Sequence, residues 1–365
     1  MSATGGVDMS REERILGIIE TTRAKRPRFK DDHITMSHGA GGKATQSLIE
    51  GLFLPAFESE SLRELGDAGA VEVDGAKLAM TTDTFVVKPT VFPGGTIGEL
   101  AVNGTVNDLA AAGARPLALS VSLVLEEGLS ADDLRVQVEA IAGAARAADV
   151  QIVAGDTKVV ERGFCDSIYV CTTGIGVRDP RAEMSTRALK PGDRVLVSGP
   201  VGDHGTAIML ARDEFEIESE IESDTCSLWP AADALMGSAG SSLRCMRDAT
   251  RGGVATVLNE LARASEVAIV AKEADVPIKP AVAGASELLG IDPLYVANEG
   301  RMVAFVAPEG AEAALVALRA VPGCEEAADI GEVKTEPPGM VLIETAFGGK
   351  RVMDLLAGDP LPRIC

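Results

Sequence analysis

The sequence predicts an α+β protein of two domains, and three observations predict it. The chain has 365 residues, more than the roughly 250–300 at which a single core stops growing. Strand-like and helix-like stretches alternate along it. Near its middle, Arg187 to Asp193 reads as a crossover that closes on the turn Leu189-Lys190-Pro191-Gly192-Asp193. Hydrophobic residues make up 46% of the chain but aromatics only 3%, with one Trp, so packing must rest on Ala, Val, Leu and Ile. The expected division is an N-terminal extension over 1–33, a first domain over 34–180, a second α+β domain over 187–345 and a flexible tail over 346–365.

The extension carries a small basic cluster, Arg23, Lys25, Arg26, Arg28 and Lys30, and reads as a solvated linker or a dock for an acidic partner. Ser37-His38-Gly39-Ala40-Gly41-Gly42-Lys43 is a glycine run entering a helix over Ala44–Leu52. Converging backbone N–H groups, a helix N-terminus and Lys43 suit an anion there. The run is not a P-loop: Ser37 stands where the first glycine is required, and Ala44 where Ser or Thr must follow the lysine. It matches G-x-G-x-x-A through Gly39, Gly41 and Ala44, yet no clear strand precedes it. A flap over a phosphate and a plain helix-entry loop remain the two readings.

From Ala70 the pattern turns to β, with Val71–Val73 and then Lys77–Thr82 ending in Thr81-Thr82-Asp83-Thr84. A helix is expected from Thr96 to Gly113, stopped by Gly113-Ala114-Arg115-Pro116. Asn103 and Asn107 lie four apart on one of its faces, with Asp108 beside them. Either they face solvent or this helix, rich in small residues, packs under a ligand. A strand over Leu117–Leu125, a helix over Ala131–Ala148 and strands over Gln151–Ala154 and Ser167–Val177 complete the first domain. Gly155-Asp156-Thr157-Lys158 reads as a turn holding Lys158 at the end of a buried strand.

The second domain begins with a strand over Arg194–Ser198 and the loop Gly199-Pro200-Val201-Gly202-Asp203-His204-Gly205. It continues through Asp248-Ala249-Thr250-Arg251-Gly252-Gly253 into a helix over Val254–Ala264, with short strands and one more helix to about Thr345. The tail Ala357-Gly358-Asp359-Pro360-Leu361-Pro362 cannot be helical and should be an extended arm. It ends on Cys365, which places a thiol and a carboxylate on one residue.

The balance of 34 basic against 55 acidic residues, a formal charge of −21, argues against non-specific binding to nucleic acid or to an anionic membrane. The cysteines at 165, 171, 226, 245, 324 and 365 contain no C-x-x-C and no zinc spacing. Five read as buried small hydrophobes. Neither a signal peptide nor a membrane span is evident, so the chain reads as cytoplasmic and reduced, with Cys365 a free thiol. Asp67, Asp83, Asp108 and Asp248 sit at turn-like positions. Each alone is an ordinary turn or cap residue; together they suit a hard cation beside a nucleotide, because clustered carboxylates are costly without one.

The set Ser37-His38-Gly39-Ala40-Gly41-Gly42, Thr81-Thr82-Asp83-Thr84-Phe85-Val86-Val87, Asn103-Gly104-Thr105-Val106-Asn107-Asp108-Leu109-Ala110, Ala154-Gly155-Asp156-Thr157-Lys158, Asp248-Ala249-Thr250-Arg251-Gly252-Gly253, Asn298-Glu299-Gly300 and Pro362-Arg363-Ile364-Cys365 resembles the HypE family of hydrogenase maturation factors. Several of these motifs recur across the superfamily of aminoimidazole ribonucleotide synthetase and selenophosphate synthetase; the terminal Pro-Arg-Ile-Cys is what points to HypE. The resemblance covers about residue 33 to the end and leaves the extension without a role.

It implies a PurM-like fold and a homodimer whose N-terminal sheets join into a barrel, with ATP and Mg²⁺ near the domain and subunit boundaries. Cys365 would accept a carbamoyl group from HypF. ATP-dependent dehydration would turn it into a thiocyanate, whose cyanide passes to iron on a HypC–HypD complex. Asp67, Asp83, Asp108 and Asp248 would hold the metal, and the loop His38–Lys43 would cover the phosphates. His38, Gly39, Gly41, Gly42, Lys43, Asp83, Asn107, Asp108, Gly155, Asp156 and Thr157 would bind the nucleotide. Glu299 is the expected base and Lys158 the cation that polarises the carbamoyl oxygen. Two other readings stay open: a synthetase or kinase of the same superfamily with a free small substrate, and a carrier that presents a cysteine to partners.

Overall fold

The computed structural model describes residues 29–212, 220–356, 358 and 363–365. Arg23, Lys25, Arg26 and Arg28 of the expected basic cluster lie outside these residues. After the glycine run, helix α1 (Lys43–Leu48) continues through a π-helical stretch, Ile49–Phe53, to a last turn, Leu54–Phe57. Then follow β1 (Gly69–Val73), β2 (Ala76–Phe85), the small hairpin β3 (Val91–Phe92) and β4 (Gly95–Thr96), and α2 (Ile97–Ala111). Strand β5 (Ala114–Glu126), α3 (Ala131–Ala147), β6 (Gln151–Val160) and β7 (Ile168–Arg178) complete this half.

These strands form one sheet in the order β1-β2-β7-β5-β6, antiparallel except for β5 against β6, which α3 connects as a crossover. Local chemistry sets the helix starts. Thr96 Oγ1 accepts from the Glu99 N–H, and Ser130 Oγ from those of Asp132 and Asp133. Helix α2 packs across β2, β7 and β5 and against α3. Ile97, Leu100, Val102, Val106 and Leu109 are fully buried, each apolar side chain contributing about 1.5–3 kcal/mol. Asn103 and Asn107 are buried too, at 5% and 1% exposure, which settles the choice between solvent and interior. Gly104 permits the approach, since a Cβ there would meet the Phe85 ring at 2.8 Å.

Among the described residues, nothing covers much of the other face of the sheet. Met80 and Ile175, partners in register, are 52% and 38% exposed, and β6 is exposed along almost its whole length, with Val153 at 64% and Val159 at 66%.

The second half holds β8 (Arg194–Val197), α4 (Asp203–Leu210), α5 (Trp229–Ala239), β9 (Leu243–Asp248), α6 (Gly253–Ala264), β10 (Ala268–Lys272), α7 (Pro280–Leu289), β11 (Met302–Val306), α8 (Pro308–Arg319), β12 (Ala328–Lys334), β13 (Val341–Glu344) and β14 (Lys350–Met353). Its sheet runs β14-β13-β10-β12-β8-β11-β9 and is buried on both faces at its centre. Along β8, Val195 and Val197 join the core that includes Leu258 and Leu261 of α6, while Leu196 joins that of Leu235 and Leu318 from α5 and α8, as the two-residue period of a strand requires.

Several expectations need correction. Gly155-Asp156-Thr157-Lys158 is not a turn at the end of a buried strand; it lies inside β6 and is exposed, because pairing with β5 extends the strand to Val160. Two helices, α7 and α8, follow α6 where one was expected, and α4 begins at Asp203 inside the glycine-rich loop. Residues 350–353 of the expected flexible tail are the edge strand β14, anchored by buried Met353. Cys171 is half-buried and Cys226 exposed, so three of the internal cysteines, Cys165, Cys245 and Cys324, are buried small hydrophobes. No described helix is long and apolar enough to cross a membrane.

Candidate active site

The two halves meet over a group of carboxylates. Asp67 precedes β1, Asp83 lies in β2, Asp108 near the C-terminal end of α2 and Asp248 at the end of β9. One oxygen from each of Asp67, Asp108 and Asp248 falls within 4.8 Å of the others. Asp83 acts on Asp108 as a neighbouring charge, and Asp108 accepts from Thr81 Oγ1 at 2.6 Å. Burial, before any other cause, raises the proton affinity of all four: Asp67 to about 6, Asp83 above its ordinary value, Asp108 and Asp248 well above it. Repulsion from neighbouring carboxylates adds to the rise at Asp67, Asp108 and Asp248. The Arg247 guanidinium offsets part of this, with Nε 2.5 Å from Asp67 and Nη2 3.1 Å from Glu260. A buried excess of hard oxygen donors at this spacing fits a divalent cation such as Mg²⁺.

Glu299 lies between β11 and the preceding 3₁₀ turn at 2% exposure. Burial raises its proton affinity well above the usual glutamate value, Asp248, Asp224 and Asp83 raise it further, and Arg251 opposes them. Among the described residues its Oε1 has no hydrogen-bond partner, an uncompensated cost inside a folded chain. The backbone that carries it is clamped. Asn107 Nδ2 donates to the Glu299 carbonyl at 3.0 Å, and the Asp224 carboxylate accepts from the N–H groups of Glu299 (3.0 Å) and Gly300 (3.3 Å). A Cβ at Gly300 would sit 1.9 Å from the Asp224 carbonyl oxygen. Asn298 completes the clamp by accepting from the Gly202 N–H at 2.7 Å and donating to the Ala249 carbonyl at 2.9 Å.

A cavity of about 310 Å³ opens beside this group, lined among others by Gly39, Ala40, Thr84, Val86, Arg251 and Cys365. The last residue of the chain thus lines this cleft. Arg251 connects the parts. Its Nη1 donates to the Gly39 carbonyl at 2.7 Å. Its proton is held more tightly than usual, first by the charge at Cys365 and, after an opposing effect of burial, by Asp83, Glu299 and Asp108. Gly41 adopts φ +78°, and a Cβ there would lie 2.9 Å from the Arg251 carbonyl oxygen, so the loop needs glycine at that point.

The structure thus gathers Asp67, Asp83, Asp108, Asp248, Glu299, Arg251, Cys365 and the glycine loop. Other expected residues stand differently. His38 Nε2 pairs with Asp31 at 3.0 Å, and Lys43 Nζ with Asp354 at 2.8 Å. Gly42 is pressed against the Leu356 carbonyl, where a Cβ would approach to 2.5 Å. Asn107 spends its amide on main chain, donating to the Cys226 and Glu299 carbonyls and accepting from the Leu228 N–H. Gly155, Asp156, Thr157 and Lys158 are not gathered within the chain. They lie on β6, three strands from β2, roughly 14 Å at the usual strand spacing, and Lys158 pairs with Asp156 at 2.6 Å. Sequence reading missed Arg251 as the connector although it stood inside a quoted motif. Asp224 and Arg247 had no local signal, since only tertiary packing brings them here.

Residues 65–178 match the family model of the AIR synthase related protein N-terminal domain, and residues 190–343 that of its C-terminal domain. The chain is 50% identical over 332 residues to carbamoyl dehydratase HypE of Bradyrhizobium diazoefficiens, covering 91% of this chain and 96% of that one. It is similar to a HypE solved in a complex with HypF, at TM-score 0.80 and 44% identity, with 85% and 99% of the two chains covered. A HypE solved in complex with ATP matches at TM-score 0.77 and 44% identity, with 91% and 100% covered. The chain belongs to the AIR synthase related family and, within it, to the carbamoyl dehydratases HypE.

Proposed function

We propose that this chain dehydrates an S-carbamoyl group carried on its own Cys365 to a thiocyanate, with ATP consumed, and so supplies cyanide for the iron of a [NiFe] hydrogenase. The observation that carries this reading is that Cys365 lines one cavity with Arg251, Gly39 and Thr84; the charges of Cys365, Asp83, Glu299 and Asp108 all act to hold the Arg251 proton more tightly. An amide oxygen leaves poorly. The carbamoyl oxygen takes the γ-phosphoryl group of ATP while the nitrogen gives up one proton; Glu299 then removes the second N–H proton as phosphate departs. The balance is one thiocarboxamide and one ATP to one thiocyanate, one ADP, one phosphate and one proton. Mg²⁺ held by Asp67, Asp83, Asp108 and Asp248 would neutralise phosphate charge when bound. Arg251 and the loop from His38 to Lys43 would close over the phosphates, which requires Lys43 to exchange Asp354 for the nucleotide.

Lys158 enters the reaction in this reading from a second subunit. The exposed sheet face and β6 support a homodimer in which N-terminal sheets join and carry Lys158 with Asp156 and Thr157 toward the partner's nucleotide. HypF is the carbamoyl donor, supported by the relative solved with it, and a HypC–HypD complex the cyanide acceptor, all in the cytoplasm. A superfamily kinase or synthetase with a free substrate is the alternative. Single-turnover phosphate release distinguishes them: carbamoylated chain should release one phosphate per Cys365, and a Cys365→Ser chain none. Sustained turnover of a free substrate by the Cys365→Ser chain would contradict the proposal.

A further inference from the structure

The last three residues are held by a set of contacts that the dehydration reading does not use. The Val86 N–H donates to a carboxylate oxygen of Cys365 at 3.0 Å, and the Lys88 N–H to the Arg363 carbonyl at 3.3 Å. That carbonyl also accepts from Arg212 Nη2 at 2.9 Å. Between them the Ile364 carbonyl accepts from His204 Nε2 at 2.9 Å. A carbonyl only accepts, so Nε2 bears the proton, and Nδ1 receives the Ser223 hydroxyl at 2.8 Å. Burial lowers the proton affinity of this imidazole, in keeping with a neutral ring. The Ile364 side chain is 3% exposed in a core with Phe85 and Val87. The Arg363 guanidinium donates to the Val86 carbonyl at 3.1 Å, pairs with Asp166 and lies 6.0 Å from the Tyr169 ring centre. Arg363 itself has φ +57°, a strained backbone that needs such surroundings.

We infer that these groups form a receptor for the chain's C-terminus which recognises the terminal carboxylate, the main chain and the Arg363 side chain, with Asp166 and His204 as positioning residues. None of these recognised groups changes when the sulfur is modified. The receptor therefore seats the free, the carbamoylated and the cyanated tail alike, and sets the sulfur at the cavity in each state. The inference deepens the reading of Cys365 as the reacting residue and rests on it for the meaning of the seated state. It also assigns Asp166, a loop residue with a side chain 33% exposed, a role that no motif signalled.

The test is hydrogen exchange at the Val86 and Lys88 amides of the full-length protein, because these donors are bonded only while the tail is seated. Exchange should be slow both in the native chain and in one whose Cys365 carries the small carbamidomethyl group left by iodoacetamide. Asp166→Asn, Arg363→Gln and a chain with one glycine added after Cys365 should each exchange about tenfold faster or more, the usual scale for losing a charge-assisted hydrogen bond. Asp166→Glu and Arg363→Lys should recover much of the protection. Exchange in Asp166→Asn and in the extended chain equal to native would overturn the receptor; fast exchange in the alkylated chain alone would overturn its indifference to the sulfur. The measurement involves no turnover. Protection as expected, in a protein that never loses water from its carbamoyl group, would uphold the receptor and sink the dehydration chemistry.

Discussion

In the proposed reaction Glu299 is the residue that takes a proton, and its surroundings suit that role. Its carboxylate is buried with Oε1 unpartnered among the described residues, while its backbone is fixed by Asn107 and Asp224, a cost that the proposed role as base would account for. Glu299→Gln keeps the shape and removes the base; carbamoylation of Cys365 should persist and water loss should fall by about 10²-fold or more, as mass spectrometry of the C-terminal peptide would show. The pH dependence has a definite sign. A base must be deprotonated, and burial has raised this one well above the usual glutamate value. Water loss should therefore rise with pH through a range above that of an ordinary glutamate, not level off near it. Gly300→Ala places a methyl group against the Asp224 carbonyl and should cost about 1–3 kcal/mol, read as a lower urea midpoint with an unchanged slope.

The carboxylate group depends on three elements, β2, α2 and β9, and on the segment before β1 that carries Asp67, and the sequence disclosed them unequally. Asp83 was legible because its strand ends in a polar run, and Asp108 because Asn103, Asn107 and Asp108 are polar in a helix otherwise built for a core. Helix α2 and strand β8 were legible in type and nearly in extent, since apolar period and stop signals agree there. Four residues of β6 were not, because Gly155-Asp156-Thr157-Lys158 has turn chemistry and only pairing with β5 makes it strand. Asp166, His204 and Asp224 were silent because their partners lie far off in the chain; His204 and Ile364 are 160 residues apart. The elements also predict a trade between stability and binding. Asp108→Asn removes a buried charge among like charges, so the metal-free protein should melt at a higher temperature. Its binding of Mg²⁺ with ATP should weaken about tenfold or more, measured by calorimetry.

At the scale of the whole molecule the proposed function joins the exposed sheet face, the distance of Lys158 from the carboxylates and the seated tail in one scheme. In it the chain supplies thiol, metal ligands and base in one cleft, and its partner supplies Lys158. Val153→Asp together with Val159→Asp puts charge on exposed β6 and should leave a folded monomer by sedimentation, with water loss strongly reduced. The account stands most directly on the mass of the C-terminal peptide after the purified protein is incubated with HypF, carbamoyl phosphate and ATP. It predicts a carbamoyl adduct on Cys365 that loses one water while ATP is present, and an adduct that keeps that water when the carbamoylated protein is freed of ATP before dehydration begins. An adduct that never loses water with ATP, or no adduct at all under conditions that modify a known HypE, would contradict it.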